Sequence, residues 1–165
     1  LCPLITGGHQ ENSMRAGTEN TLGIIALGEA IRQAEIEMDD NKIRIAKLRD
    51  KLEQGIMKNL DHVKINGDPK NRVYNITNLS FTNIEGESIL LRLDMHDIAV
   101  STGSACSTGS LEPSYVITAL DVDPEIAHSS IRFSLGRDTS EDDIDKTIEA
   151  VTETITFLRK ISPIA

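Results

Sequence analysis

Apolar residues recur at helical spacing through the first third of the chain. Leu27, Ile31, Ala34 and Met38 make one row, and Ile45, Leu48, Leu52 and Ile56 make a second. Recurrence at i, i+3 and i+4 marks one face of a helix, so the pattern predicts helix over 19–60, with Asp39-Asp40-Asn41 as a kink or a break. A helix this long exceeds what one small core needs, so it spans two domains or lies along a partner. Asn66-Gly67-Asp68-Pro69 is a turn signal. Residues 73–81 read as a strand, weakened by Asn75, Thr77 and Asn78. Residues 86–93 read as a short helix and Ile98-Ala99-Val100 as a short strand. A further helix begins over 111–115, with Pro113 in its first turn, where a missing N–H costs nothing, and ends at 121–124. Across 130–134, Ile131 and Phe133 point to one face and Arg132 to the other. The last helix starts near Thr139, with Asp142 completing a capping-box-like pair, and Ile144, Ile148, Val151, Ile155 and Leu158 form its buried stripe.

Three or four short strands with helices between them predict an α+β fold: a small antiparallel-rich sheet with helices on one face, preceded by the long helix. Three segments follow from the pattern: a loop over 1–18, the long helix or helices over 19–60, and a small domain over 61–165. The length of 165 residues suits about one domain. The chain begins without an initiator Met and reads as part of a longer polypeptide. No stretch approaches the run of about 18 apolar residues that spans a membrane, and no basic-then-apolar signal segment opens the chain. A net charge of -9 repels phosphate backbones, which disfavours a nucleic-acid partner. The acidic residues fall mostly on predicted helices, as solvated faces do. The absence of Trp argues further against stacking on single strands. Two cysteines, Cys2 and Cys106, form neither a disulfide framework nor a metal-ligand spacing. A reducing, cytoplasmic compartment is the simplest fit.

Two stretches break the apolar periodicity. Residues 6–18 are polar and carry Gly7, Gly8 and Gly17. Residues 101–110, Ser-Thr-Gly-Ser-Ala-Cys-Ser-Thr-Gly-Ser, have no apolar face and read as a mobile loop, held by a strand before it and a helix after it. Structural cysteines sit among apolar neighbours; Cys106 sits where solvent and substrate can both reach it, the setting of a reactive thiolate.

Ser104-Ala105-Cys106, Leu111-Glu112-Pro113-Ser114 and residues 127–137 (Ala-His-Ser-Ser-Ile-Arg-Phe-Ser-Leu-Gly-Arg) together resemble the C-terminal part of NifS/IscS-type cysteine desulfurases. Gly7-Gly8-His9-Gln10-Glu11 and residues 14–20 (Met-Arg-Ala-Gly-Thr-Glu-Asn) resemble the loop before the long interdomain helix of that family. The long Ser/Gly segment around Cys106 resembles the NifS/IscS branch and not the Suf-type branch, whose cysteine segment is shorter. The resemblance implies the C-terminal part of a fold-type I enzyme that uses pyridoxal phosphate and works as a homodimer. It implies removal of sulfur from L-cysteine to give L-alanine and an enzyme-bound persulfide, which passes to a sulfur acceptor or an iron–sulfur scaffold protein.

Under the resemblance, Cys106 matches the persulfide-forming cysteine, Arg132 the arginine that binds the substrate carboxylate, and Thr18 a threonine that contacts the cofactor phosphate across the dimer interface. Each type suits its task. A thiolate on a mobile segment can attack sulfur and then carry it; a guanidinium offers a carboxylate a bidentate fork; a hydroxyl ahead of a helix N-terminus can donate to phosphate. The plainer alternatives are a surface salt bridge for Arg132 and a helix-entry role for Thr18. His9 and His128 fall in or beside these motifs and read more simply as surface or satisfied residues, as do His62 and His96. The family's cofactor lysine follows a Ser/His-rich segment that this chain lacks, which implies that the chain alone is inactive; Lys42, Lys47, Lys51 and Lys146 fall on predicted solvated faces. Selenocysteine lyase, another class V pyridoxal-phosphate enzyme, and a stand-alone persulfide carrier or scaffold-binding module stay open as alternatives.

Overall fold

A computed structural model describes residues 1–102 and 114–162. They form two compact units, one over 1–39 and one made of the described residues from 40 onward.

The first unit opens with an irregular segment containing a short 3-10 turn, Gln10–Ser13. Gln10 Oε1 accepts the Gly17 amide at 3.2 Å, and Arg15 Nη1 donates to the carbonyls of Gly17 and Thr18 at 3.2 and 3.4 Å. Gly17 sits at φ 106°, where a side chain would be strained. Helix α1, Thr21–Asn59, follows. Asn20 Oδ1 accepts the Gly23 amide at 3.1 Å and caps it. The helix is continuous through Asp39-Asp40-Asn41, because these residues keep helical hydrogen bonding while their side chains stay at or near the surface. Of its two apolar rows, Ile45, Leu48, Leu52 and Ile56 are buried, whereas Leu27, Ile31 and Met38 are 61, 60 and 55 % exposed.

The second unit holds a three-stranded antiparallel sheet in the order β1 (Val63–Ile65), β2 (Ile76–Phe81), β3 (Ser130–Ser134). The register sets Val63 against Phe81, Ile65 against Leu79, Leu79 against Ile131 and Thr77 against Phe133. Side chains alternate across a strand, so these residues share one face. That face packs into a single core with Ile45, Leu52 and Ile56 of α1, Ile89 and Leu93 of α2 (Gly86–Asp94), and Val151, Ile155 and Leu158 of α5 (Glu141–Ile161). The expected α+β layering is present. The opposite face carries Lys64, Asn78, Ser80, Ser130, Arg132 and Ser134, with Ile76 as its apolar member. Two short helices, α3 (Tyr115–Thr118) and α4 (Pro124–His128), enclose a small cluster of Ile117, Val122 and Ala127. The start of the helix expected over 111–115 lies partly outside the described residues. Pro124 sits at the first position of α4, where its missing N–H is harmless, a helix the apolar spacing does not signal.

Three boundaries differ from the sequence reading. Residues 73–75 are not strand, because Arg49 Nη1 donates to the carbonyls of Val73 and Tyr74 at 3.2 and 3.3 Å, in place of a neighbouring strand. Arg49 is buried, and beside it Arg72 forks onto the buried Glu53 at 2.5 and 2.8 Å. These pairs hold the segment before β2 against α1. Residues 98–100 form no strand. The Ile98 amide closes onto the Leu93 carbonyl at the end of α2, and pairing is reduced to one bridge at Ser101. The last helix is capped one residue later than expected: Ser140 Oγ accepts the Asp143 amide at 3.1 Å and Asp143 Oδ2 accepts the Ser140 amide at 2.8 Å.

The Ser140 amide and hydroxyl hold the Asp143 carboxyl below its ordinary range. A depressed folded pKa adds stability that is full above the unfolded-chain value and is lost as pH falls through the folded value. Ser140→Ala is expected to cost about 1 kcal/mol near neutral pH and progressively less once Asp143 protonates. Urea unfolding across that acid range checks this. Among the described residues, no helix is long and apolar enough to cross a membrane.

Candidate functional site

Strand β3 places the site. Ile131 is fully buried and Phe133 nearly so, which commits the residue between them to the other face, and Arg132 is exposed there. Among the described residues its guanidinium makes no hydrogen bond and no ion pair. Its backbone does make a reciprocal pair: the Arg132 amide donates to the Ser101 carbonyl at 2.8 Å and the Ser101 amide donates to the Arg132 carbonyl at 3.2 Å. Ser101 opens the segment that holds Cys106. Cys106 itself, and the loop read as mobile over 101–110 apart from Ser101 and Thr102, lie outside the described residues.

The root of that segment is packed from below. A Cβ on Gly86, at the start of α2, would lie 2.7 Å from the His128 carbonyl oxygen, 3.2 Å from Thr102 Cγ2 and 3.5 Å from the Ser130 carbonyl oxygen. Two of these neighbours are backbone and cannot swing aside. Gly86→Ala is therefore expected to push α2 off the start of β3, at a cost of roughly 1–3 kcal/mol. A lowered unfolding midpoint checks this, and an unchanged midpoint would show that the backbone yields freely.

In the first unit, Thr18 is exposed in the turn before α1. The helix cap is Asn20, which leaves the Thr18 hydroxyl without a capping role; among the described residues it makes no hydrogen bond. His9 shares a hydrogen bond with Ser13 at 3.2 Å, and His128 ends α4 on the surface. Cys2 is an exposed free thiol. Among the described residues no group of three His, Cys, Asp or Glu side chains could hold a metal ion.

Lysines fit covalent attachment of a carbonyl cofactor poorly. Such a lysine needs burial or a neighbouring cation to free its amine. Lys51 instead pairs with Asp145 at 2.6 Å and Glu141 at 2.8 Å, and Lys146 pairs with Asp142 at 2.6 Å. These carboxylates raise both amines above the ordinary lysine range, Asp145 acting most on Lys51 and Asp142 on Lys146. The remaining lysines are exposed.

The polar face of the sheet also holds a group that the apolar pattern passes over. Asn66, just past β1, is buried and donates through Nδ2 to Asn78 Oδ1 at 2.6 Å and Ser80 Oγ at 2.7 Å. Asn78 lies directly opposite Arg132. In the sequence Asn78 reads only as a weakness in a strand; its parity with Ser80 was the available signal that both belong to a polar face.

Comparison with known proteins decides the family. The aminotransferase class-V family model matches residues 5–147. The chain belongs to the class-V aminotransferase family. Within it, the chain is 50 % identical over 161 residues to cysteine desulfurase IscS of Dictyoglomus turgidum, covering 98 % of this chain and 41 % of that protein. It is 48 % identical to cysteine desulfurase NifS of Azotobacter vinelandii, covering 98 and 40 %. The structure matches a NifS-like protein of Rickettsia africae with a TM-score of 0.80 at 36 % identity, covering 93 % of this chain and 40 % of that one. The chain thus spans about two-fifths of the length of these class-V relatives, and the expected kinship with the desulfurase branch is borne out.

Proposed function

We propose that this chain is the C-terminal part of a cysteine desulfurase, in which Arg132 binds the carboxylate of L-cysteine and Cys106 receives its sulfur. The single observation that carries the reading is the pairing of Arg132 with Ser101. The guanidinium faces outward with no partner among the described residues, and its own backbone pairs with Ser101, which opens the segment that bears Cys106. Substrate recognition and sulfur capture are thereby rooted at one point of one sheet edge. The desulfurase names of the relatives support the substrate.

Pyridoxal phosphate, the cofactor the family uses, supplies an electron sink at the substrate when bound. Thr18 suits its phosphate as an uncommitted hydroxyl donor; the lysines here do not suit its attachment. Arg132 fixes the carboxylate end of L-cysteine by two parallel charge-assisted hydrogen bonds. The Cys106 thiolate forms an S–S bond to the substrate sulfur as the substrate C–S bond breaks. The bond's electron pair leaves with the carbon, which takes a proton and departs as L-alanine. The persulfide then passes to a thiol-bearing acceptor, such as an iron–sulfur scaffold protein. A homodimer accounts well for the exposed first half of α1, and a reducing, cytoplasmic setting suits a chain whose chemistry needs a free thiolate. The test is to supply the native-length protein with L-cysteine and quantify L-alanine and protein-bound sulfane sulfur. Equal amounts in a single turnover are expected; release of sulfide without labelled protein would overturn the reading.

A further inference from the structure

On the polar face of the sheet, Arg132 has one neighbour whose amide is held in a fixed sense. Asn78 stands opposite it across β2 and β3, and directly opposed residues have Cβ atoms about 4.5–5.5 Å apart. Asn66 occupies the Oδ1 atom of Asn78 from the other side at 2.6 Å, and its backbone amide also donates to the Asn78 carbonyl at 2.9 Å. Asn66 is itself 7 % exposed and rests on Ser80, which is 1 % exposed. This clamp leaves the Asn78 Nδ2 hydrogens unclaimed; among the described residues they have no acceptor. The Arg132 guanidinium has none either. Both groups can only donate, so they cannot satisfy each other. A carboxylate, with two oxygens and about four acceptor sites, can satisfy both at once, and its negative charge suits the guanidinium.

We propose that Asn78 is a second donor to the substrate carboxylate beside Arg132, and that Asn66 is the positioning residue that keeps its amide turned toward the ligand. The inference rests on the desulfurase reading above and adds to it. Arg132 supplies charge and one plane of donors, while Asn78 supplies a neutral donor from the neighbouring strand. A carboxylate held from two strands is fixed in rotation as well as position. Asn78 then selects α-amino acids over the corresponding amines, because an amine leaves both donors empty.

The test uses the native-length protein loaded with pyridoxal phosphate, with L-cysteine as substrate and L-alanine as a binding probe. Asn78→Ala is expected to raise the KM for L-cysteine and the calorimetric Kd for L-alanine roughly tenfold, the loss of one hydrogen bond to a charged group, with kcat and the unfolding midpoint unchanged. Asn78→Asp keeps the shape but sets an anion beside Arg132, and is expected to weaken both by more than tenfold. Asn66→Ala, which frees the amide to rotate, is expected to raise KM by less, with no further rise when combined with Asn78→Ala. Wild-type KM and Kd in Asn78→Asp would overturn the proposal, as would a parallel fall of kcat and unfolding midpoint in Asn78→Ala. Arg132→Lys separates the two levels. If it raises the L-alanine Kd and the Asn78 variants do not, only the role of Asn78 is lost. If neither responds, the carboxylate site lies elsewhere and the desulfurase assignment of Arg132 goes with it.

Discussion

Cys106→Ser is expected to end the accumulation of protein-bound persulfide while leaving L-cysteine binding intact. The substitution replaces sulfur by oxygen at nearly the same size. A thiol with an ordinary pKa near 8.5 is a few per cent thiolate at pH 7 and intrinsically nucleophilic. A serine hydroxyl is essentially never ionised there and is a poor nucleophile toward sulfur. Arg132, on a strand whose neighbours are buried, does not depend on this side chain, so substrate titration is expected to match wild type. The measurement is a single incubation with sulfur-labelled L-cysteine followed by gel analysis under non-reducing conditions. Label retained on the Cys106→Ser protein would remove Cys106 from the reaction and leave Cys2, the other thiol, as the acceptor to examine.

Arg132→Lys is expected to do the reverse. Lysine keeps the charge but loses the planar fork. The loss of one charge-assisted contact costs about 1.5–3 kcal/mol, or roughly ten- to a hundredfold in apparent affinity. The backbone pair with Ser101 does not involve the side chain, so the anchor of the Cys106 segment survives and persulfide still forms at saturating L-cysteine. A rise in KM with kcat retained is the predicted signature. A variant that titrates like wild type would mean that the guanidinium faces nothing it recognises.

Much of this arrangement was legible in the residues, and the exceptions have physical causes. The alternation Ile131-Arg132-Phe133 placed the guanidinium on the polar face, since burying two large side chains leaves the middle one no choice. The stripe of α5 was legible for the same reason, although Ile148 is only half-buried and Ala150 and Thr154 join the core. The row at Leu27, Ile31 and Met38 falls at helical spacing just as the buried row at Ile45, Leu48 and Ile56 does, yet stays exposed. Periodicity reports that a face is apolar and not what covers it. β1 escaped notice because three residues are too few to establish an alternation. The strand over 73–75 failed because a buried arginine, invisible to apolar spacing, claims its carbonyls. Asn66 reads only as the start of a turn, and Asn78 is passed over because a polar residue in a strand counts against the strand until its partners are known.

The Ser101–Arg132 pair also sets a leash. Five peptide steps separate Ser101 from Cys106, and a fully extended chain covers at most about 3.3–3.6 Å per residue. Whatever path the intervening residues take, the Cys106 backbone stays within about 18 Å of Ser101 while that pair is intact. A sulfur acceptor must therefore bring its receiving atom within that radius of the edge of β3, extended only by the reach of the Cys106 side chain and the sulfur it carries. Lengthening the tether by inserted Gly-Ser pairs would widen the circle of acceptors served and dilute the thiol at Arg132, so turnover of L-cysteine and delivery of sulfur would trade against each other.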